Sequence, residues 1–216
     1  MIIKAKPLSH FHFRLVSGAI RLVLRVKFNK LYLPEFTVRP GHSYLLMCNH
    51  TSYWDGILAF YLCNELIRKK VSEGYVYTMV LEKQMQKNWW LKYAGAFSIA
   101  PGKNSVAESL TYAINILKTP GNILLMYPQG KLESQYVRHI EMKDGIYEIA
   151  SRVSENCQLI WCSTLFDFFE SLKLNIYFNL YDAGNNDNVD LKVLSDSINE
   201  FHLQAVKKQL RYTVEP

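Results

Sequence analysis

The apolar and polar positions along the chain fall into two alternating rhythms. Short apolar runs of strand length occupy 43–48, 75–81, 96–99, 123–127, 158–164 and 173–181. Between them lie segments with helical spacing at 55–70, 83–94, 105–118, 143–154 and 190–211. Alternation of this kind predicts an α/β fold: a mixed, largely parallel sheet flanked by helices. Of the Lys and Gln within the predicted helices, most lie in 83–94 and 190–211, as on solvated faces. Pro34, Pro40 and Gly41 punctuate a loop before the first of these strands, and "YDAGNNDN" (181–188) reads as another. No linker divides the chain, so one domain is expected over 1–216, with a core spanning 40–216.

The segment 9–28, "SHFHFRLVSGAIRLVLRVKF", has a different pattern. It reads as a helix that Ser9 can cap. At roughly 100° per residue, Arg14, Arg21 and Arg25 fall on one narrow stripe. Leu15, Ile20, Leu22, Val23, Leu24 and Val26 fill most of the remaining arc. So wide an apolar arc predicts an amphipathic helix, within 1–30, lying in a bilayer interface with its arginines toward headgroups. The competing expectation is a helix packed on the core with a solvated arginine edge. Trp89 and Trp90, adjacent in a helical pattern and flanked by Lys87 and Lys92, are hard to bury together. At least one is expected at the interface.

Composition fits this picture. The 216 residues, 49% hydrophobic and 20% charged, suffice for one sizeable core. The 14 Tyr, 11 Phe and 4 Trp suit a chain that meets lipid. A net charge of +6 favours anionic surfaces. Nucleic acid is not an expected partner, because no recognition motif accompanies the charge. No apolar run reaches the ~18–20 uncharged residues of a spanning helix. Cys48, Cys63, Cys157 and Cys162 sit in apolar runs without CxxC spacing, so buried reduced thiols and a reducing cytoplasm are expected. His10, His12, His42, His139 and His202 show no metal-ligand spacing with acidic partners, so no metal is expected.

The candidate chemistry lies in "LMCNHTSYWDG" (46–56). If 43–48 is a strand, His50 and Asp55 sit at its carboxyl end, where open α/β sheets bind ligands. A turn between them lets the carboxylate hold one imidazole nitrogen, leaving the other to accept a proton. That is a base and its orienting acid without a protein nucleophile, so the nucleophile would be the substrate. A structural His–Asp capping pair is the competing reading. Cys48 is a poor nucleophile, because nothing nearby would lower its pKa.

"NHTSYWD" resembles the Asn-His-x-x-x-x-Asp motif of the glycerolipid acyltransferase family. "GAFSIAPGKN" (95–104), "YPQGKLES" (127–134) and "MKDGIYEIA" (142–150) resemble its later motifs, in the family's order. The fourth motif is not recognisable in "LIWCSTLFDF". The resemblance implies acyl transfer from acyl-CoA or acyl carrier protein to a lipid hydroxyl or amine. His50 would be the base and Asp55 its orienter. No bound cofactor is implied. Asn49, Ser52, Tyr127, Pro128, Gln129, Gly130, Lys131 and Lys103 would contact substrate, at the cytoplasmic face of a membrane. The chain departs from the family where phosphate would be held. Pro101 and Leu132 occupy the slots of two arginines, and Gln129 replaces a glutamate. Neither Pro nor Leu can donate bidentately to phosphate as Arg does. The acceptor is therefore expected to lack a phosphate monoester. The alternatives are a lysophosphatidic acid acyltransferase with altered phosphate contacts, a thioesterase, and a catalytically silent lipid-binding protein.

Overall fold

The computed structural model describes residues 1–153, 156–169, 171–185 and 190–209. Seven strands form one sheet: β1 (Leu31–Tyr32), β2 (Ser43–Cys48), β3 (Val76–Leu81), β4 (Ala96–Ile99), β5 (Ile123–Met126), β6 (Cys157–Asp167) and β7 (Asn175–Asp182). Their order is β1-β7-β6-β2-β5-β3-β4. Strands β6, β2, β5, β3 and β4 run parallel to one another. β7 is antiparallel to β6, and β1 is parallel to β7. The sheet is thus mixed and largely parallel, as the alternation predicts. The two-residue β1 has no signature of its own. It lies in the Pro-punctuated loop and exists only through pairing with β7.

The central strands are apolar on both faces because both faces are covered. In β2, Leu45 and Met47 point to one side, where α4 (Val106–Leu117), α5 (Asp144–Ala150) and α6 (Leu191–Gln209) pack. Tyr44, Leu46 and Cys48 point to the other, against α1 (His10–Lys27) and α2 (Asp55–Leu62). This alternation, with period 2 along the strand, produces three layers.

Two predicted helices are interrupted. The 55–70 segment is α2 followed by a π-helical stretch, Cys63–Arg68, in which Lys69 N–H reaches back five residues to the Asn64 carbonyl. The 83–94 segment is α3 (Glu82–Lys87), a break at Asn88, and a 3-10 turn over Trp89–Ala94 that ends on left-handed Gly95. The predictions for 154, 186–188 and 210–211 lie outside the described residues.

Ser9 caps α1 by accepting the His12 N–H. Phe13, Ser17 and Leu24 form its buried stripe. Phe11, Leu15, Leu22, Val23 and Val26 point outward and are exposed. The helix therefore packs on the core with one narrow apolar face and presents a second, wider one to its surroundings. No helix among the described residues is long and apolar enough to cross a membrane.

Candidate active site

The site forms where β2 and β5 end. Asn49, the first residue past β2, is buried. Its side-chain amide donates to the Thr164 carbonyl at 3.0 Å and its oxygen accepts the Thr164 N–H at 2.7 Å. This imitates one more rung of the β2–β6 ladder and fixes where the chain leaves the sheet. His50 follows, then a turn into α2, whose first residue is Asp55.

The Asp55 carboxylate folds back over that turn. Its Oδ2 accepts the Thr51 N–H at 2.6 Å and the Ser52 N–H at 2.9 Å, and Oδ1 accepts the Ser52 hydroxyl at 2.7 Å. A carboxylate at a helix start is also favoured by the backbone dipoles there. With the carboxylate so held, His50 Nδ1 lies 2.7 Å from Oδ2. Asp55 is buried, and the His50 side chain is 28% exposed. An ionised carboxylate can only accept, so Nδ1 carries the proton and Nε2 has the free lone pair. No hydrogen-bond partner meets Nε2 among the described residues.

The loop after β5 supports the imidazole from the other side. The Tyr127 ring stacks on His50, with ring centres 4.5 Å apart and planes inclined by 27°. A turn through Gly130, at φ +64°, lets its N–H reach the Tyr127 carbonyl. Gln129 is fully buried in that turn. Its oxygen accepts the His50 N–H at 2.6 Å, and its amide donates to Glu133. The Glu133 N–H in turn donates to the His50 carbonyl at 2.9 Å. Both backbone polar groups of His50 are thereby committed to the 127–133 loop.

These contacts revise several expected substrate ligands. Asn49 and Gln129 are buried and bonded to protein, so their side-chain polar groups are committed to shaping the site. Lys103 pairs with Glu82 at 2.6 Å, past the carboxyl ends of β3 and β4. Lys131 is half-exposed and paired with Glu133 at 3.0 Å. The Pro128 carbonyl accepts the Lys143 N–H. Ser52 and Tyr127 remain at the site. Among the residues expected at lipid, Arg14 and Arg25 are exposed, as are Trp89 and Trp90. Arg21 instead pairs with Glu65, which also takes Lys69.

Cys48 is buried. Its hydrogen bond with Cys162, together with burial, raises its thiol well above the ordinary value. Burial pushes the Cys63 thiol up to about 12 and the Cys157 thiol up to about 11. None of these three is a thiolate nucleophile at neutral pH.

Several positioning residues had no local sequence signal. Gln135 ties the loop to β6, accepting the Phe166 N–H at 2.7 Å and donating to the Phe166 carbonyl at 3.2 Å. From α6, Asn199 accepts the Ile140 N–H and His202 bonds the Val137 carbonyl at 3.0 Å. His202 is buried, and its other ring nitrogen meets Ser163 Oγ at 2.9 Å, which accepts from Trp161 Nε1. Beside the His50–Asp55 pair a cleft of about 430 Å³ opens, with Thr51, Ser52, Ser134, Tyr136, Phe166 and Asp167 among its walls.

Residues 28–163 match the family model described as Acyltransferase, well over half of the chain. The chain belongs to the acyltransferase family. The resemblance read from its glycerolipid-type motifs thus identifies the family. The acyltransferase chain is also 28% identical over 101 residues to the 1-acyl-sn-glycerol-3-phosphate acyltransferase of Streptococcus pneumoniae (strain ATCC BAA-255 / R6). That match covers 44% of this chain and 34% of the relative, so it spans about a third of the relative's length. In fold, the acyltransferase chain is similar to the crystal structure of the 1-acyl-sn-glycerophosphate (LPA) acyltransferase PlsC from Thermotoga maritima. The TM-score is 0.64 at 12% identity, covering 94% of this chain and 81% of that one.

Proposed function

We propose that this chain, acting as a single domain, transfers a fatty acyl group from acyl-CoA or acyl carrier protein to a lipid acceptor lacking a phosphate monoester. It does so as a peripheral protein at the cytoplasmic face of a membrane. The observation that carries the chemistry is the 2.7 Å contact between His50 Nδ1 and buried Asp55, which leaves Nε2 as a base. Nε2 takes the proton of the acceptor hydroxyl as its oxygen attacks the thioester carbonyl, and Asp55 stabilises the imidazolium that forms. Collapse of the tetrahedral intermediate breaks the C–S bond, and the leaving thiolate takes the proton back from His50. The products are an ester and a free thiol, with no acyl-enzyme. Buried, protonated Cys48 supports that direct route.

The acceptor assignment rests on charge. Leu132 is exposed where the resembled motif carries an arginine. Lys131 and Lys103, the nearest substitutes in sequence, are each paired with a glutamate. The names of both relatives favour a second reading, acylation of 1-acylglycerol 3-phosphate itself. For the membrane, the outward apolar face of α1 and the exposed Trp89, Trp90 and Tyr93 supply surface for an interface. Lys6 links the two, since its N–H bonds the Lys92 carbonyl in the 3-10 turn just ahead of α1.

The test is to incubate the purified chain and a radiolabelled acyl thioester with total membrane lipid extract, beside His50→Ala, and to identify the labelled product by mass. Label is expected in an ester-linked lipid without a phosphate monoester, and His50→Ala should abolish it. Label released only as free fatty acid would make the protein a thioesterase. Phosphatidic acid as the main product would establish the second reading. Flotation with anionic vesicles, weakened by Leu22→Glu, tests the membrane assignment.

A further inference from the structure

The cleft beside the imidazole has a definite electrostatic character. Ser52 belongs to both places: its hydroxyl donates to Asp55 at 2.7 Å and its side wall lines the cleft. The cleft wall thus begins at Thr51, the residue after the proposed base. Among the described residues lining the cleft there is no lysine and no arginine. Among those described residues the only charged one is Asp167, at the end of β6. One oxygen of Asp167 accepts the Phe168 N–H at 2.8 Å. The other has no hydrogen-bond or ion-pair partner among the described residues. Three aromatic residues line the same cleft: half-buried Phe166 and exposed Tyr136 and Phe168. Gln135 bonds both backbone groups of Phe166, so the wall carrying Asp167 is fixed to the loop that carries Tyr127.

A carboxylate among aromatic faces is a site for a cation, since ring faces and carboxylate attract the same charge. A phosphate monoester placed there would face a like charge with no compensating donor of positive charge. We propose that this cleft takes an acceptor lipid whose head group carries an ammonium, and that Asp167 is the specificity-determining residue that holds it. The inference rests on the acyl-transfer reading and names its acceptor class. The ammonium keeps its proton and is not the nucleophile. A hydroxyl on the same head group gives its proton to His50 Nε2 and attacks the thioester carbonyl. The C–S bond then breaks and the thiolate leaves with that proton.

The test compares three single-chain acceptors with one acyl thioester, using the full chain. The first bears a hydroxyl and a primary amine, the second has a neutral hydroxyl in place of the amine, and the third is 1-acylglycerol 3-phosphate. The amine acceptor is expected to have the highest kcat/KM, mainly through KM. Asp167→Asn keeps an oxygen for the Phe168 N–H, so the wall stays folded. It should lower kcat/KM for the amine acceptor roughly 10- to 100-fold, the range of a charge-assisted hydrogen bond, and leave the neutral acceptor nearly unchanged. Asp167→Lys should shift preference toward the phosphate acceptor. Equal use of amine and neutral acceptors by the wild type, or an unchanged ratio in Asp167→Asn, overturns the proposal. If the lipid-extract experiment gives a His50-dependent product with a neutral or anionic head, only this inference falls. If it gives no labelled lipid, the acyl-transfer reading falls with it.

Discussion

Replacing Asp55 with Asn separates the shape of the site from its charge. Asp55 Oδ2 accepts from His50 Nδ1, Thr51 N–H and Ser52 N–H, and Oδ1 accepts from the Ser52 hydroxyl. An Asn oxygen in the Oδ2 position can accept the same three N–H groups, and its amide can donate to Ser52 Oγ. The turn should therefore keep its form. What is lost is the negative charge that stabilises the imidazolium as His50 takes the acceptor's proton. Two unit charges about 4 Å apart at an effective dielectric near 20 interact by about 4 kcal/mol. A charge-assisted hydrogen bond measured by deletion is worth about 1.5–3 kcal/mol. At about 1.4 kcal/mol per tenfold in rate, Asp55→Asn should lower kcat roughly 10- to 1,000-fold. The donor KM should change little, because the charge matters only once the proton has moved. The assay is thiol release at saturating donor and acceptor, with circular dichroism to check the fold. A well-folded Asp55→Asn that retains kcat within about threefold would refute the base assignment of His50.

Three further outcomes follow from the same geometry. Gln129→Glu removes the amide that donates to Glu133 and sets two carboxylates together in a buried turn; urea denaturation at pH 7.5 should show a loss of about 1–3 kcal/mol that shrinks near pH 5 as carboxylates protonate. Tyr127→Phe deletes a buried hydroxyl that has no partner among the described residues, on a residue lining a small void of about 10 Å³. It should raise stability by about 1 kcal/mol and preserve activity, whereas Tyr127→Leu, which removes the ring on His50, should lower turnover. Burial lowers the pKa of His202 below the ordinary 6.5, against a smaller raising effect of the Val137 carbonyl. The unfolded chain then binds the proton first, so this group's contribution to stability is complete above pH 6.5 and lost as pH falls through the lower folded value. The denaturation midpoint should drop across that acid window, and His202→Gln should flatten the drop.

Most of the fold and the centre of the site are legible in the residues themselves. The strands at 43–48 and 123–126 announce themselves as short apolar runs, because both faces of a central parallel strand are covered. His50 and Asp55 could be read together because the contact spans only five residues and needs only a turn. What could not be read depends on partners distant in sequence. β1 has no pattern apart from β7. Asn49 and Gln129 look like substrate ligands until Thr164, Glu133 and the His50 backbone are brought beside them. Lys103 lies in a stretch that resembles a family motif, and only the placement of Glu82 shows its ammonium paired. Arg21 lies on the same helical stripe as Arg14 and Arg25, and only the placement of Glu65 distinguishes it.

The hold of α6 on the loop through Val137 and Ile140 also bears on the order of events during synthesis. At ~5–20 residues per second on the ribosome, the loop carrying Tyr127 and Gln129 is translated seconds before Asn199 and His202 exist. Every residue proposed for chemistry is then already made, while the segment beneath the imidazole has only part of its anchorage. The nascent protein should stay catalytically inert until α6 has been translated and docked.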